Sequence, residues 1–235
     1  MPQLKSFGNL SLENKTIAVI GGGVTGLILG LAALRDGYRV DVFERSDSIT
    51  DVGAGISFDI NAAKVFESLG LGDVIDRISY RSKTSTYRTH DTNKLKLFLD
   101  YSNTSGKVMC LRAEFVREVA GLLPKDQLHL GKKFESLQQH HKLVTIRFKD
   151  GSSYAADLVI GADESTPVFS HQVMYRDVLN LSKVTDLDPE LLNSTIIPAP
   201  GDKHVVLFPL KKGTLLAVAA IIRIDHDEGW EESWL

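Results

Sequence analysis

The first part of the chain alternates apolar runs with a helical stretch. Residues 16–20 (TIAVI) are apolar and β-branched, which predicts a buried strand. After a glycine-rich turn, residues 27–37 (LILGLAALRDG) show helical periodicity that ends at Gly37. Residues 39–43 (RVDVF) predict a second strand. This order of strand, glycine turn, helix and strand predicts a compact βαβ unit.

The remaining pattern predicts further helices and a partly antiparallel sheet. Helical periodicity covers residues 61–78, with Asn61 as the expected N-cap and a break near residues 70–72, and returns at residues 113–123. Residues 149–152 predict a tight turn between two strands. The strand patterns lie at residues 84–90, 95–100, 128–132, 143–148, 154–161 and in several segments of 167–224. The fold class predicted is α/β, with a mixed sheet following the βαβ unit.

Composition excludes several classes of function. The formal net charge is −3 and no cluster of Lys and Arg stands out, so no nucleic-acid partner is expected. The single cysteine, Cys110, permits no internal disulfide and fits a reducing compartment. No apolar run reaches the roughly 18 residues of a membrane span. No metal-ligand spacing occurs, since His140 and His141 lack an acidic or cysteine partner. We therefore expect a cytoplasmic protein without a metal site.

The glycine-rich turn matches a dinucleotide fingerprint. Residues 21–26 (GGGVTG) form a G-x-G-x-x-G directly after a strand and at the start of a helix. Gly21 allows a tight turn, Gly23 lets a diphosphate approach the backbone, and Gly26 permits close packing of helix and strand. The phosphates then meet free N–H groups and the positive end of the helix. In this context the motif predicts a dinucleotide site.

Glu44 adds the acidic element of such a site. It ends the second strand, eighteen residues after Gly26, where a carboxylate accepts hydrogen bonds from ribose hydroxyls. The same charge repels a 2′-phosphate, which disfavours NADP here. A glycine turn in a generic α/β protein is the competing interpretation, and it leaves Glu44 unexplained.

Four further motifs follow in order along the chain. They are Gly53-Ala54-Gly55-Ile56 before Asn61-Ala62; Leu111-Arg112-Ala113; residues 157–163 (DLVIGAD); and Tyr175-Arg176 with residues 204–213 (HVVLFPLKKG). Together with the fingerprint and Glu44-Arg45, they resemble the class A FAD-dependent aromatic hydroxylases, the salicylate-hydroxylase-like proteins with the p-hydroxybenzoate-hydroxylase fold.

This resemblance implies FAD as the cofactor and NAD(P)H as co-substrate, with O2 and a small aromatic substrate as partners. FAD does the redox chemistry in such enzymes. Arg176 is the implied catalytic residue, because a phenolate needs a cationic partner. At the position of a frequent family tyrosine this chain has Phe208. The implied cofactor-binding residues are Gly21, Gly23, Gly26, Glu44, Arg45, Ala54, Gly55, Arg112 and Asp163.

The resemblance also implies two domains, and the chain departs from the family pattern at two places. The FAD-binding domain covers residues 1–80 and 107–165, and a partial substrate domain covers 81–106 and 166–235. After Asp163 the family has a glycine where this chain has Glu164, and the following segment is shorter, as in an internal deletion. The family's later Gly-Asp motif and C-terminal helices are absent. We therefore expect a truncated chain, without the C-terminal part, that exposes an apolar face.

Three functions stay open at this point. The first is an FAD-dependent monooxygenase, in secondary metabolism, that hydroxylates an aromatic or related small molecule with NAD(P)H and O2. The second is a truncated FAD-binding remnant without hydroxylase activity. The third is an NAD-dependent dehydrogenase, which the second glycine loop and residues 157–163 disfavour. Substrate identity and oligomeric state are not predicted.

Overall fold

The structure is a computed structural model, and it describes residues 15–49, 54–163 and 170–224. Three features of the sequence analysis lie outside these residues. They are Gly53 of the second glycine loop, the departure that begins at Glu164, and residues 225–235 of the expected partial substrate domain.

The described residues form four α-helices, four short 3₁₀ helices and sixteen strands. The α-helices are α1 (Val24–Arg35), α2 (Ile60–Ser68), α3 (Gly72–Ile78) and α4 (Arg112–Ala120). The 3₁₀ helices are Lys125–Gln127, Leu181–Lys183, Pro189–Leu192 and Lys211–Gly213. The strands are β1 (Thr16–Ile20), β2 (Arg39–Phe43), β3 (Gly55–Phe58), β4 (Tyr80–Ser82), β5 (Thr84–Arg88), β6 (Leu95–Asp100), β7 (Lys107–Leu111), β8 (Leu128–His129), β9 (Phe134–Gln139), β10 (Val144–Phe148), β11 (Ser153–Ala156), β12 (Leu158–Gly161), β13 (Gln172–Asn180), β14 (Ser194–Ala199), β15 (Lys203–Leu210) and β16 (Leu215–Arg223).

The chain folds into two compact units. Described residues 15–49 and 116–163 form the first unit, and residues 54–115 and 170–224 form the second. The predicted domains divide the chain differently, because residues 54–80 and 107–115 belong to the second unit. The predicted domains were assigned by function, one to the cofactor and one to the substrate, and this assignment stays a prediction.

The first unit contains a four-stranded parallel sheet in the order β12-β1-β2-β8. Ala18 and Val19 in β1 are fully buried, as expected of a central parallel strand. Helix α1 packs closely on β2, because a Cβ at Gly30 would lie 2.9 Å from Val42 Cγ2. An antiparallel sheet, β11-β10-β9, packs Phe148 against the Phe43 ring of β2. The predicted βαβ unit is confirmed, and with its parallel strands and glycine loop it is of the Rossmann type.

The second unit contains a six-stranded sheet in the order β13-β16-β15-β14-β5-β6. Strands β14 and β5 pair in parallel, and the other neighbours pair antiparallel, so the predicted mixed sheet is confirmed. The Thr86 and Thr195 hydroxyl oxygens lie 2.8 Å apart across the buried parallel pair. A three-stranded antiparallel sheet, β3-β7-β4, belongs to the same unit. Large apolar side chains are exposed on both edge strands of the six-stranded sheet: Leu95, Leu97, Phe98, Met174 and Tyr175.

Two sequence-based predictions of local structure are wrong. Helix α2 begins at Ile60 after the N-cap Asp59, so Asn61 lies inside the helix. Residues 154–161 are not one strand, because the chain turns at Asp157 from β11 into β12, which belongs to a different sheet. The Asp157 carboxylate accepts a hydrogen bond from the Thr16 N–H at 2.9 Å and from Lys15 Nζ at 2.7 Å. These bonds attach the turn to the start of β1.

Within the described segments, no helix combines the length and apolar character needed to cross a membrane.

The structure predicts an unreactive thiol at Cys110. This side chain is fully buried in β7, and burial together with the nearby Glu114 charge raises its pKa to about 12. Alkylation requires the thiolate. We expect the folded chain at pH 8 to react with iodoacetamide at least about a hundredfold more slowly than the chain in denaturant. Comparable rates measured by mass spectrometry would contradict this burial.

Candidate functional site

The glycine loop lies at the carboxyl edge of the parallel sheet, between β1 and α1. Gly21 has φ +109°, a backbone conformation that residues with a side chain rarely adopt. Its N–H donates to the Phe43 carbonyl at 2.7 Å. A Cβ at Gly21 would lie 2.7 Å from the Ala162 carbonyl oxygen. Both conformation and space therefore require glycine here.

The structure explains why position 26 is glycine but gives no conformational reason for the glycine at position 23. A Cβ at Gly26 would lie 1.8 Å from the Gly21 carbonyl oxygen, whereas the nearest atom of β1, Val19 Cγ1, would be 3.3 Å away. The predicted tight packing at Gly26 is thus mainly against the loop. Gly23 has φ −77° and ψ −171°, extended backbone that any residue adopts. Backbone conformation does not explain this glycine, and clearance for a ligand stays the prediction.

The start of helix α1 presents free hydrogen-bond donors. No described side chain caps it, and its first turn contains no acidic residue. The first four N–H groups of a helix have no intrahelical acceptor, and the helix dipole makes this end positive. Gly23 is the N-cap, so the donors begin within the glycine loop. This arrangement suits a phosphate group.

The Glu44 carboxylate points at the glycine loop from the end of β2. Oε2 accepts from the Gly22 N–H at 2.7 Å, and Oε1 accepts from the Ser46 N–H at 2.9 Å. An ionised carboxylate has about four acceptor positions, so both oxygens can accept further bonds. A Cβ at Gly22 would lie 2.7 Å from Glu44 Cβ. The middle glycine, a variable position in the motif, is therefore needed for Glu44 to reach the loop.

Asp163 and Arg45 occupy the same edge of the sheet. Asp163 follows β12 and is exposed, and its backbone nitrogen would lie 2.9 Å from a Cβ at Gly21. Arg45 follows Glu44 and is also exposed. The first unit thus gathers the sequence-predicted residues Gly21, Gly23, Gly26, Glu44, Arg45 and Asp163 at the carboxyl ends of β1, β2 and β12.

The second unit brings together the other predicted cofactor residues. The Arg112 N–H, at the start of α4, donates to the Ala54 carbonyl at 2.9 Å. Gly55 begins β3 and pairs with Leu111 at the end of β7. Ala54 is buried and Arg112 is half-buried. Ala54, Gly55 and Arg112 are therefore neighbours.

Gly55 has an internal reason to be glycine. A Cβ there would lie 2.8 Å from the Phe208 ring and 2.8 Å from Ala217 Cβ. The sequence analysis attributes this glycine to the close passage of a cofactor ring. The protein's own Phe208 ring already fills the space beside its Cα, so a cofactor contact at Gly55 stays a prediction.

Arg176 lies on the same face of the six-stranded sheet as Phe208. Phe208 pairs with Ala217, and Arg176 pairs with Ala219 two residues further along β16. Cross-strand partners and residues two apart in one strand share a face. We call this face, which carries Phe208, Val206, Ala217, Ala219 and Arg176, the Phe208 face. Phe208 is buried beside Met109 and Leu210, whereas Arg176 is exposed.

An open groove of about 450 Å³ continues along the Phe208 face. Its lining includes side chains that the register places on this face: Gln172, Ile196, Pro198 and His204. The groove is apolar at Ile196 and Pro198 and polar at Gln172 and His204. The groove is open to solvent, and its lining also includes the charged residues Asp202 and Lys203.

Sequence reasoning missed a buried polar cluster beside Glu44. Asp41, in the middle of β2, is only 6% exposed, and its Oδ1 lies 2.7 Å from His129 Nε2. Tyr154 Oη donates to the other carboxylate oxygen. The signal was available, because an aspartate inside the apolar run RVDVF requires buried partners. Among the residues that the structure describes, no group of His, Cys, Asp and Glu is arranged to hold a metal ion.

Two curated proteins are similar in sequence to most of this chain. The chain is 28% identical over 236 residues to the FAD-dependent monooxygenase pigN of Monascus ruber, covering 88% of this chain and 54% of that protein. It is 29% identical over 237 residues to the salicylate hydroxylase of Pseudomonas putida, with the same coverage of 88% and 54%. The chain spans about half the length of the curated relatives it matches.

A solved structure and a family model also match most of this chain. A salicylate hydroxylase substrate complex superimposes with a TM-score of 0.77 and 26% identity, over 95% of this chain and 60% of that one. The FAD binding domain family model matches residues 14–232. The chain therefore belongs to the FAD binding domain family.

Proposed function

We propose that this chain holds FAD and is the cofactor-binding and substrate-binding part of a monooxygenase that hydroxylates an aromatic or related small molecule with NAD(P)H and O2. The observation that carries the proposal is the glycine loop at the start of α1 with Glu44 hydrogen-bonded beside it. A cytoplasmic location stays a prediction from the sequence.

The residues present fit the ADP part of FAD. The loop excludes side chains at Gly21, Gly22 and Gly26, which leaves backbone N–H groups as its donors. Glu44 keeps acceptor positions for ribose hydroxyls. A cofactor contact at Arg112 is proposed from the family resemblance alone. When bound, FAD supplies the redox chemistry, which takes electrons from NAD(P)H and activates O2.

The Phe208 face supports a site for a small aromatic molecule. Arg176 provides a cation at the edge of an apolar surface, where it would stabilise a substrate phenolate or carboxylate. Phe208 and Ala217 are buried on this face. Because Phe208 carries no hydroxyl, the polar contacts to a substrate would come from Arg176 or, further along this face, from Gln172 and His204.

A spectroscopic experiment tests the proposal. The purified chain is incubated with excess FAD, free flavin is removed, and the visible absorption of retained flavin is recorded. Salicylate is then added with NADH or NADPH, and the products are analysed. Retained flavin with hydroxylated product is the expected result. Retained flavin without product would reduce the function to FAD binding, and colourless protein would contradict the proposal.

Gly26→Ala tests the loop itself. The new methyl group overlaps the Gly21 carbonyl, so the loop must open. We expect at least a tenfold loss of FAD affinity and a destabilisation of about 1–3 kcal/mol, the usual cost of overpacking. Titration of flavin fluorescence and denaturant unfolding measure the two effects.

Gly72→Ala is the matched control for this substitution. Gly72 begins α3, has no positive φ, and has open space where a Cβ would be. Its substitution should leave FAD affinity unchanged and should stabilise the fold by up to about 1 kcal/mol, because alanine costs less conformational entropy on folding than glycine. If Gly26→Ala binds FAD as the parent does, the loop does not hold the diphosphate.

Arg176→Gln tests the substrate side of the proposal. Loss of the charge should raise the dissociation constant of salicylate from the FAD-loaded chain about tenfold or more, as expected for a charged hydrogen bond. FAD affinity should not change. The flavin difference spectrum reports salicylate binding without requiring turnover. Arg147→Gln, at an exposed arginine of β10, is the control. Equal salicylate affinity in both variants would exclude Arg176 from the substrate site.

A further inference from the structure

We propose that His129 is a positioning residue for the cofactor site, which acts by fixing Glu44 through the backbone of β8. The inference rests on the proposed function, because it assigns to Glu44 the grip on the nucleotide ribose. His129 itself need not touch the cofactor.

The first step is the main-chain link between β8 and Glu44. The Glu44 N–H donates to the His129 carbonyl at 2.8 Å, and the Glu44 carbonyl accepts from the Lys132 N–H at 2.7 Å. The Gly131 N–H donates to the Ser46 carbonyl at 3.0 Å. Residues 129–132 therefore hold the backbone on both sides of the Glu44 carboxylate.

The second step is the weakness of β8 as a strand. It contains only two residues, which pair in parallel with Val42 and Phe43. Such a short strand contributes few ladder hydrogen bonds and lies at the edge of the sheet. Its position therefore depends on side-chain contacts as well as on the main-chain bonds to residues 44–46.

The third step is the anchoring of the His129 ring. The ring stacks on Phe43, with centroids 4.7 Å apart and planes 15° from parallel. His129 Nε2 lies 2.7 Å from Asp41 Oδ1, and because an ionised carboxylate only accepts, Nε2–H is the donor. The Asp41 side chain is 8% exposed, so this bond satisfies a carboxylate that water hardly reaches.

Tyr154 completes the anchor from β11. Its hydroxyl donates to Asp41 Oδ2, and its ring packs on Phe43 at a centroid distance of 4.8 Å. Burial, followed by the contact with Asp41, raises the pKa of Tyr154, so the phenol stays protonated and remains a donor. Asp41 is thus held by two donors from two different strands.

The test compares ADP with 2′-deoxy-ADP by isothermal titration calorimetry. If Glu44 grips the ribose, the parent should bind ADP about tenfold or more tightly than the deoxy form. Partial unfolding weakens both nucleotides equally, so the ratio of dissociation constants reports the position of Glu44 and not general stability. Glu44→Gln should reduce this ratio to about twofold, because the amide accepts fewer hydrogen bonds.

His129→Leu should reduce the ratio to about two- to threefold, because β8 loses its anchor and Glu44 its fixed position. His129→Gln keeps an N–H that can reach Asp41, and it should restore most of the parental ratio. His141→Leu, at an exposed histidine of the same unit, should keep the parental ratio.

The outcomes separate this inference from the proposed function. A parental ratio in His129→Leu, with a reduced ratio in Glu44→Gln, would overturn the role of His129 alone. Failure of the parent to bind ADP would overturn the proposed function and this inference with it. Binding of ADP without discrimination of the deoxy form would overturn this inference alone, because Glu44 would then not hold the ribose. If His129→Leu does not fold by circular dichroism, Tyr154→Phe decides. It removes one donor to Asp41 and keeps the ring, and it should lower the ratio about twofold, whereas an unchanged ratio would contradict the proposal.

Discussion

The geometry of the glycine loop, at the carboxyl edge of the parallel sheet, depends on the exclusion of side chains from a few positions. The Gly21 carbonyl occupies the space that a Cβ at Gly26 would need, so the helix can begin this close to the loop only if position 26 is glycine. This close contact brings the start of α1 directly after β1, in the centre of a parallel sheet. The free N–H groups of the helix then face the edge where the strands end.

A second constraint acts from the neighbouring strand. The end of β2 accepts the Gly21 N–H through the Phe43 carbonyl and the Gly22 N–H through the Glu44 carboxylate. Phe43 in turn packs against Phe148, Tyr154 and His129. The geometry of the loop is therefore coupled to the packing between the parallel sheet and the antiparallel sheet. In the second unit, the Phe208 ring fills the space that a side chain at position 55 would need.

The sequence predicts the parts of this arrangement that are local. The bounds of β1 and β2 follow from apolar runs, and the roles of Gly21 and Glu44 follow from motif spacing. Contacts between distant segments were not predictable in the same way. The turn at Asp157 is bonded to Thr16, and the ring that fills the space beside Gly55 belongs to Phe208, more than 150 residues later. Asp41 signals a buried partner, but only the fold identifies His129 and Tyr154.

The central claim is that a nucleotide diphosphate binds the backbone amides at the start of α1. Its most direct test is the change in amide NMR shifts of the ¹⁵N-labelled chain on addition of ADP. The account predicts the largest changes at Gly22, Gly23, Val24, Thr25 and Gly26, with a further change at Ser46 beside the Glu44 carboxylate. Saturating ADP that leaves these amides unshifted, or that shifts mainly residues of the six-stranded sheet, would contradict it.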